Sequence, residues 1–295
     1  MKYQGSYCAL ITPFKNNVID KQSLKKIIEW HIKNKTKGII PCGTTGESPT
    51  LSHNEHKLVV ELAVEYAKGK MQVIAGTGSN STEEAVELTK HAKKVGADSA
   101  LVVVPYYNKP SQEGLYKHYL EIANRANFPI FIYNIPGRSI VDISDNVIAK
   151  LAKNKYIIGI KDASNDLSRP HNLRSLITHK HFYQLSGEDG TQLAFLSEGG
   201  DGVISVSANI VPNLIADLHK AWFEKNYTRA FQINNNLQNL NKYLFLESNP
   251  CPVKYAAYKI GLCEYEIRLP LTKISKNTEK LLNKAIKKLV KKTRR

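Results

Sequence analysis

The sequence predicts an α/β chain: a closed (β/α)8 TIM barrel with a C-terminal helical appendage. Three observations carry that prediction. Eight short apolar runs recur along the 295 residues, each followed by a segment of helical periodicity. The runs lie about 20 to 35 residues apart, the size of a strand with its crossover helix. Most are continuous rather than alternating, as parallel strands buried on both faces require.

In chain order the runs span residues 7–14, 38–42, 72–76, 99–106, 130–135, 157–160, 182–185 and 202–206. The segments between them carry helix punctuation. Ser52-His53-Asn54-Glu55 and Ser81-Thr82-Glu83-Glu84 both fit the capping box, in which a hydroxyl and a returning carboxylate satisfy orphan amides. Gly69 and Gly96 stand where those two helices would end. Leu58, Leu62 and Tyr66, then Ala85, Leu88 and Ala92, repeat at the spacing of a helix face that packs on a sheet. Eight such units favour a closed barrel over an open doubly wound sheet. Gly76-Thr77-Gly78 also lacks the third glycine of a dinucleotide-binding turn. After Ala208-Asn209 the strand signal stops, and helical patterns follow over 227–247 and 274–290, with Pro250 and Pro252 as a break. Residues 1–224 therefore read as the catalytic barrel and 225–295 as a helical region.

Composition narrows the function. A hydrophobic content of 42% suits a globular chain with a sizeable core, and no apolar stretch approaches the roughly 20 residues of a membrane span. Residues 1–5 lead straight into a strand and lack a signal peptide's apolar segment, so the expected address is the cytoplasm. Cys8, Cys42, Cys251 and Cys263 form no CxxC pair and suggest neither a zinc site nor a disulfide framework. The net charge of +16 raises a nucleic-acid reading. Against it, lysine heavily outnumbers arginine, the residue of base-edge recognition, and the lysines are spread over most predicted helices. A basic cluster closes the chain at 287–288 and 291–295. Lysine-rich solvated surfaces account for this charge better than a nucleic-acid or membrane partner.

In a barrel of this kind reactive groups gather at the carboxyl ends of the strands. Those ends here are Thr12-Pro13, Gly43-Thr44-Thr45-Gly46-Glu47, Gly76-Thr77-Gly78, Tyr106-Tyr107, Tyr133-Asn134-Ile135-Pro136-Gly137-Arg138, Lys161-Asp162, Gly187-Glu188-Asp189 and Val206-Ser207-Ala208-Asn209. Lys161 closes the apolar run Ile157-Ile158-Gly159-Ile160. Burial there disfavours the charged form, and a neutral amine can form a Schiff base with a carbonyl compound. A strand-end lysine can equally snorkel to water or pair with Asp162. Tyr133, one strand earlier, can move the protons such chemistry needs, or serve as an amphipathic core tyrosine. Gly43-Thr44-Thr45-Gly46 has no P-loop lysine; it is an ordinary glycine turn or a turn offering hydroxyls and amides to a carboxylate. Arg138 offers a planar fork for a second carboxylate, or is a surface arginine. His53-Asn54-Glu55-His56 is not HExxH and has no evident third ligand, so no metal is expected.

Gly-Thr-Thr-Gly-Glu-Ser at 43–48, Tyr-Asn-Ile-Pro-Gly-Arg at 133–138 and Gly-Ile-Lys-Asp-Ala at 159–163 closely resemble the 4-hydroxy-tetrahydrodipicolinate (dihydrodipicolinate) synthases. These belong to the pyruvate-dependent Schiff-base aldolases, which include N-acetylneuraminate lyase. The resemblance extends from Gly5-Ser6 to 249–254. It implies a lyase of lysine and diaminopimelate biosynthesis, free of cofactor, that condenses pyruvate with L-aspartate 4-semialdehyde. By the same resemblance Lys161 forms the Schiff base and Tyr133 is the general acid/base. Thr44 and Tyr107 complete a hydroxyl network, with Tyr107 donated by the neighbouring subunit of a tight dimer. Thr45 binds the pyruvate carboxylate, Ile204 lines the pocket through its backbone, and Arg138 holds the carboxylate of the semialdehyde. The alternative is a sibling aldolase such as N-acetylneuraminate lyase; Arg138 suits a dicarboxylic product better than a sugar. The resemblance further implies a homotetramer, a dimer of dimers, with an allosteric site for L-lysine as inhibitor. Its residues would be Ser48, Pro49, His53, His56, Asn80, Glu84 and Tyr106, with Pro49 replacing an alanine often found there.

Overall fold

The computed structural model describes residues 2–179 and 181–293, with side chains to residue 289. The basic cluster read at 291–295 therefore lies outside the described side chains. Eight parallel strands form a closed barrel: β1 (Gly5–Ala9), β2 (Gly38–Ile40), β3 (Gln72–Gly76), β4 (Ser99–Val103), β5 (Ile130–Asn134), β6 (Ile157–Asp162), β7 (Tyr183–Ser186) and β8 (Gly202–Ser205). Each lies beside its neighbours in sequence, and β8 closes on β1. The principal helices are α1 (Lys21–Lys33), α2 (His53–Ala67), α3 (Thr82–Lys94), α4 (Gln112–Ala126), α5 (Asp145–Leu151), α6 (Arg169–Leu176), α7 (Gln192–Ser197), α8 (Pro212–Phe223), α9 (Tyr227–Tyr243), α10 (Cys251–Lys259) and α11 (Lys276–Thr293). A two-stranded hairpin, Phe14–Lys15 with Val18–Ile19, precedes α1.

Packing divides the chain into two units. One joins the residues up to Gly5 to Gln72–Ile204; the other joins Ser6–Met71 to the chain from Ser205 onward. In the first unit β5 is buried at all five positions, which explains its unbroken apolar run. Tyr3 meets the rings of Phe131 and Tyr183 edge-on, with centroids 5.1 and 5.3 Å away. Between β5 and β6 the register shifts: Ile130 faces Ile157 but Phe131 faces Gly159, leaving Ile158 as an extra residue. Beyond this bulge Tyr133 faces Lys161 and Asn134 faces Asp162. The strand thus runs through Lys161 and Asp162, two residues past the apolar stretch that announces it. The run at 99–106 ends sooner, at Val103, since Pro105 has no amide for the ladder.

In the second unit β1 and β2 pair through Tyr7–Gly38, Cys8–Ile39 and Ala9–Ile40. The predicted run 7–14 stops being strand at Ala9 because the Ile11 amide donates to the Asn209 side chain, whose own amide returns to the Ala9 carbonyl. Pro252 falls in the first turn of α10, where a missing amide is harmless, so this proline starts a helix as well as breaking one.

The two predicted capping boxes differ in outcome. Ser52 and Glu55 bond reciprocally at the start of α2. At α3 Ser81 accepts from the Glu84 amide, but the Glu84 carboxylate accepts from the Ser79 hydroxyl instead of returning to Ser81. The Ser81 amide donates to Ser79, so the local turn supplies the bond the box would have made. All four cysteines are buried and none is in a disulfide.

Candidate active site

Lys161 owes its position to strand alternation. On β6, Ile160 and Asp162 point to one side and Lys161 to the other. The lysine is 6% exposed and its register partner Tyr133 is 5% exposed. The Lys161 Nζ lies 3.9 Å from the centroid of the Tyr133 ring, so the amine rests on the aromatic face. Beside it the chain after β7 turns at Gly187 with almost no clearance. A Cβ there would stand 2.7 Å from the Ala163 Cβ, 3.1 Å from the Asp162 carbonyl and 3.2 Å from the Lys161 Cε.

The carboxylate next to Lys161 is engaged elsewhere. Asp162 Oδ1 accepts from Asn134 Nδ2 at 2.9 Å and from Arg169 Nη1 at 3.1 Å, while Oδ2 accepts from Ser164 Oγ at 2.6 Å. Arg169 at the start of α6 also meets Asp142 at 2.9 Å and Asp145 at 3.0 Å. Burial alone would lower this guanidinium, but the hydrogen bond to Asp142 and the charges of Asp162, Asp142 and Asp145 outweigh it and raise its pKa. Asn134 bridges Asp142 and Asp162 through one amide group. A single network therefore fixes the residues directly after Tyr133 and after Lys161. Lys161 has no carboxylate at ion-pair distance among the described residues, so the reading in which it pairs with Asp162 does not hold.

Glu188 feels the charges of both Lys161 and Arg138. Burial pushes its carboxyl above the ordinary range and Asp189 adds to this, while Lys161 and Arg138 pull it back down. Arg138 sits on the one-turn helix Pro136–Ser139 directly after β5, and Ile204 is buried on β8. The first unit thus brings Lys161, Tyr133, Glu188 and Arg138 into one electrostatic neighbourhood. The sequence assigns roles to three of these and places Glu188 among the strand ends without one, although an acidic pair after an apolar strand was the available signal. It also gives no role to Asn134, which lies within the 133–138 motif, or to Asp142 and Arg169, whose spacing carries no motif.

The second unit holds the threonine turn. Thr45 is buried and its Oγ1 accepts from Asn249 Nδ2 at 3.0 Å; the Thr44 carbonyl accepts from the Glu47 amide at 3.2 Å. Ser48 and Pro49 begin a one-turn 3-10 helix, and His53 and His56 follow in the first turn of α2. In the first unit Asn80, Glu84 and Tyr106 stand together: Asn80 Nδ2 donates to the Tyr106 carbonyl at 3.1 Å, and burial, then Glu84, raise the Tyr106 phenol. Tyr107 is set apart. It is 89% exposed, has a φ of 73°, and its hydroxyl has no hydrogen-bond partner among the described residues. No three His, Cys, Asp or Glu side chains among the described residues are grouped to hold a metal ion. Among the described residues no helix is long and apolar enough to cross a membrane.

A barrel carrying a buried strand-end lysine on a tyrosine ring narrows the candidates to a few families, and comparison decides among them. The model of the dihydrodipicolinate synthetase family matches residues 2–289. The chain belongs to this family. A 4-hydroxy-tetrahydrodipicolinate synthase of Pelagibacter ubique is 50% identical over 287 residues, covering 96% of this chain and 98% of its own. The crystal structure of dihydrodipicolinate synthase from Aquifex aeolicus superposes with a TM-score of 0.96 at 47% identity, covering 98% of each chain. The synthase of Cyanidioschyzon merolae, solved with lysine bound, is 36% identical with a TM-score of 0.94, covering 97% of this chain and 98% of its own.

Proposed function

We infer that this chain is a 4-hydroxy-tetrahydrodipicolinate synthase, a lyase that condenses pyruvate with L-aspartate 4-semialdehyde. The observation that carries the reading is Lys161, a buried amine resting on the Tyr133 ring with its neighbouring carboxylate engaged by Arg169.

The reaction follows from these groups. The Lys161 nitrogen adds to the pyruvate carbonyl; water leaves and an imine forms. Loss of a methyl proton gives the enamine, with Tyr133 carrying protons at the adjacent carbon. The enamine carbon attacks the aldehyde, forming the new carbon–carbon bond and a hydroxyl. The amine of the semialdehyde unit then attacks the imine carbon, closes the ring and displaces Lys161, which is regenerated. Thr45 takes the pyruvate carboxylate through its hydroxyl and amide, and Ile204 lines the pocket through its backbone. Arg138 receives the carboxylate of the semialdehyde. Thr44 links Tyr133 to Tyr107, whose exposed ring enters the site of a neighbouring subunit in a tetramer built from two dimers. Residues 1–224 form the catalytic barrel, 225–295 the helical region, and the cytoplasm is the place of action.

L-lysine is the inhibitor in this reading, held by Ser48, Pro49, His53, His56, Asn80, Glu84 and Tyr106. Glu84 would meet an ammonium, and Asn80 with Tyr106 a carboxylate. Unchanged activity in millimolar L-lysine would remove this part of the reading. The central test adds pyruvate, reduces with borohydride and seeks the mass adduct on Lys161. A coupled assay with aspartate semialdehyde then separates a synthase from an N-acetylneuraminate lyase. Absence of the adduct ends the Schiff-base mechanism; an adduct without condensation ends the choice of second substrate.

A further inference from the structure

The side chains of Glu47 and Lys254 are both 0% exposed, with Glu47 Oε1 and Lys254 Nζ 2.5 Å apart. The Glu47 carboxylate also accepts from the Arg268 amide at 3.2 Å. Lys254 lies on α10, and its Nζ stands 4.2 Å from the centroid of the Phe14 ring, which the Arg268 guanidinium also meets at 4.2 Å. Arg268 goes on to hold Glu55 at 2.6 and 2.8 Å and the Thr50 carbonyl at 3.0 Å. A buried ion pair adds little stability over an apolar pair of the same volume, so another property accounts for this one more readily.

Its place in the chain supplies that property. Glu47 ends the turn Gly43-Thr44-Thr45-Gly46 and adopts a φ of 55°, in the left-handed region that a glutamate seldom occupies. Several contacts fix the turn. Thr12 Oγ1 donates to the Gly46 carbonyl at 2.7 Å, and the Gly46 amide closes on the Gly43 carbonyl at 3.0 Å. A Cβ on residue 46 would meet the Cys42 amide at 3.0 Å, so the turn is pressed against the chain that leads into it. From the other side come Asn249 on Thr45 and Lys254 on Glu47, both from the helical region. Within this unit that region therefore clamps the threonine turn at two residues out of five.

We propose that the Glu47–Lys254 ion pair is a positioning device for Thr45, setting the affinity of the site for the carboxylate of the keto acid. This rests on the reading that Thr45 binds that carboxylate. Neither Glu47 nor Lys254 touches the substrate. Their pair fixes the backbone on which the Thr45 amide and hydroxyl are presented, while the Lys161 amine belongs to a separate strand end.

The test measures KM for pyruvate, KM for the semialdehyde and kcat in full-length Lys254→Met, Glu47→Gln and the double variant. Removing the lysine leaves a buried carboxylate that must leave its place, and the turn goes with it. Pyruvate KM rises by about tenfold or more, the loss of one charge-assisted contact in a binding site. The semialdehyde KM and kcat stay within about threefold, as loss of binding made equally in ground and transition states demands. Glu47→Gln retains an acceptor and folds even where Lys254→Met does not; its pyruvate KM rises by a smaller factor. Glu47→Gln combined with Lys254→Met removes both charges and brings the pyruvate KM back towards wild type. A global loss of stability would not produce that split between pyruvate KM and the other two constants. Thr45→Val separates the two readings. If it leaves pyruvate KM unchanged, the carboxylate assignment fails. If it raises KM while Glu47→Gln and Lys254→Met leave it within about twofold, the positioning inference alone is overturned. A fall in kcat at unchanged pyruvate KM also overturns it.

Discussion

Gly187→Ala adds one methyl group at the tightest point beside the proposed nucleophile. The new Cβ would stand 2.7 Å from the Ala163 Cβ, against the 3.4 Å at which ordinary contact begins, so one of them retreats by about 0.7 Å. Ala163 and the Asp162 carbonyl belong to the end of β6 and its exit, which the Arg169 network holds, so they yield little. The Lys161 Cε, at 3.2 Å, is the flexible neighbour and moves with the displaced turn. Over-packing of this size costs about 1–3 kcal/mol. At about 2–4 °C per kcal/mol the thermal midpoint falls by about 2–12 °C. Displacement of a reacting nitrogen by a large fraction of an ångström costs roughly tenfold to a hundredfold in turnover. The measurement is kcat in the coupled assay at saturating pyruvate, with the rate of borohydride-trapped adduct and a thermal melt on the same preparation. Turnover within about twofold of wild type in a variant with an unchanged midpoint would refute the close-packing argument. A lower midpoint at unchanged turnover would keep the crowding and reject its coupling to Lys161.

Four further outcomes are expected. Lys161→Ala yields no pyruvate adduct and loses efficient turnover, whereas Tyr133→Phe still traps the adduct but turns over about 100-fold or more slowly, which mass spectrometry and kinetics resolve. Tyr107→Phe lowers turnover while imine formation persists; full wild-type turnover would count against the hydroxyl network. Arg169→Met leaves the buried Asp162 carboxylate unpaired and lowers stability by about 3–5 kcal/mol, and Asp162→Asn in the same chain restores part of it in urea titrations. Stability also falls in mild acid. Burial holds His31 down to about 3 and His118 and His219 down to about 4, so all three stay neutral in the folded chain while the unfolded chain protonates near 6.5. Folded pKa values below the unfolded ones mean that the full contribution is present above pH 6.5. It is lost as pH falls towards 4, and a flat urea midpoint between pH 7 and 4.5 would contradict it.

The barrel was legible because parallel strands buried on both faces leave unbroken apolar runs, and because each unit needs about the same chain length. Lys161 and Tyr133 were legible for the opposite reason: a polar residue closing such a run contradicts its surroundings. The supports of the site were hidden. Asp142, Asp145 and Arg169 sit in polar segments where charged residues are expected to be solvated, so nothing in their spacing marks an ion-pair network around a buried arginine. Glu47 and Lys254 are 207 residues apart, and a glutamate after a glycine turn looks like any exposed turn residue. The failed capping box at α3 shows a local limit of the same kind. The right residues were present, yet Ser79, outside the four-residue pattern, took the carboxylate.

The extra residue at Ile158 has a consequence for how this enzyme can be altered. Side chains along a strand take turns, odd positions one way and even positions the other. Counting from that bulge decides whether an amine or an acid looks into the barrel. Deleting Ile158 would remove the bulge and still leave Phe131 opposite Gly159 and Tyr133 opposite Lys161. One residue inserted after Ile160 would instead shift every later position by one and swap the destinations of Lys161 and Asp162, offering a carboxylate to the keto acid and an ammonium to Arg169. Parity, rather than the identity of any one neighbour, is what keeps the proposed reagent and its anchor on their proper sides.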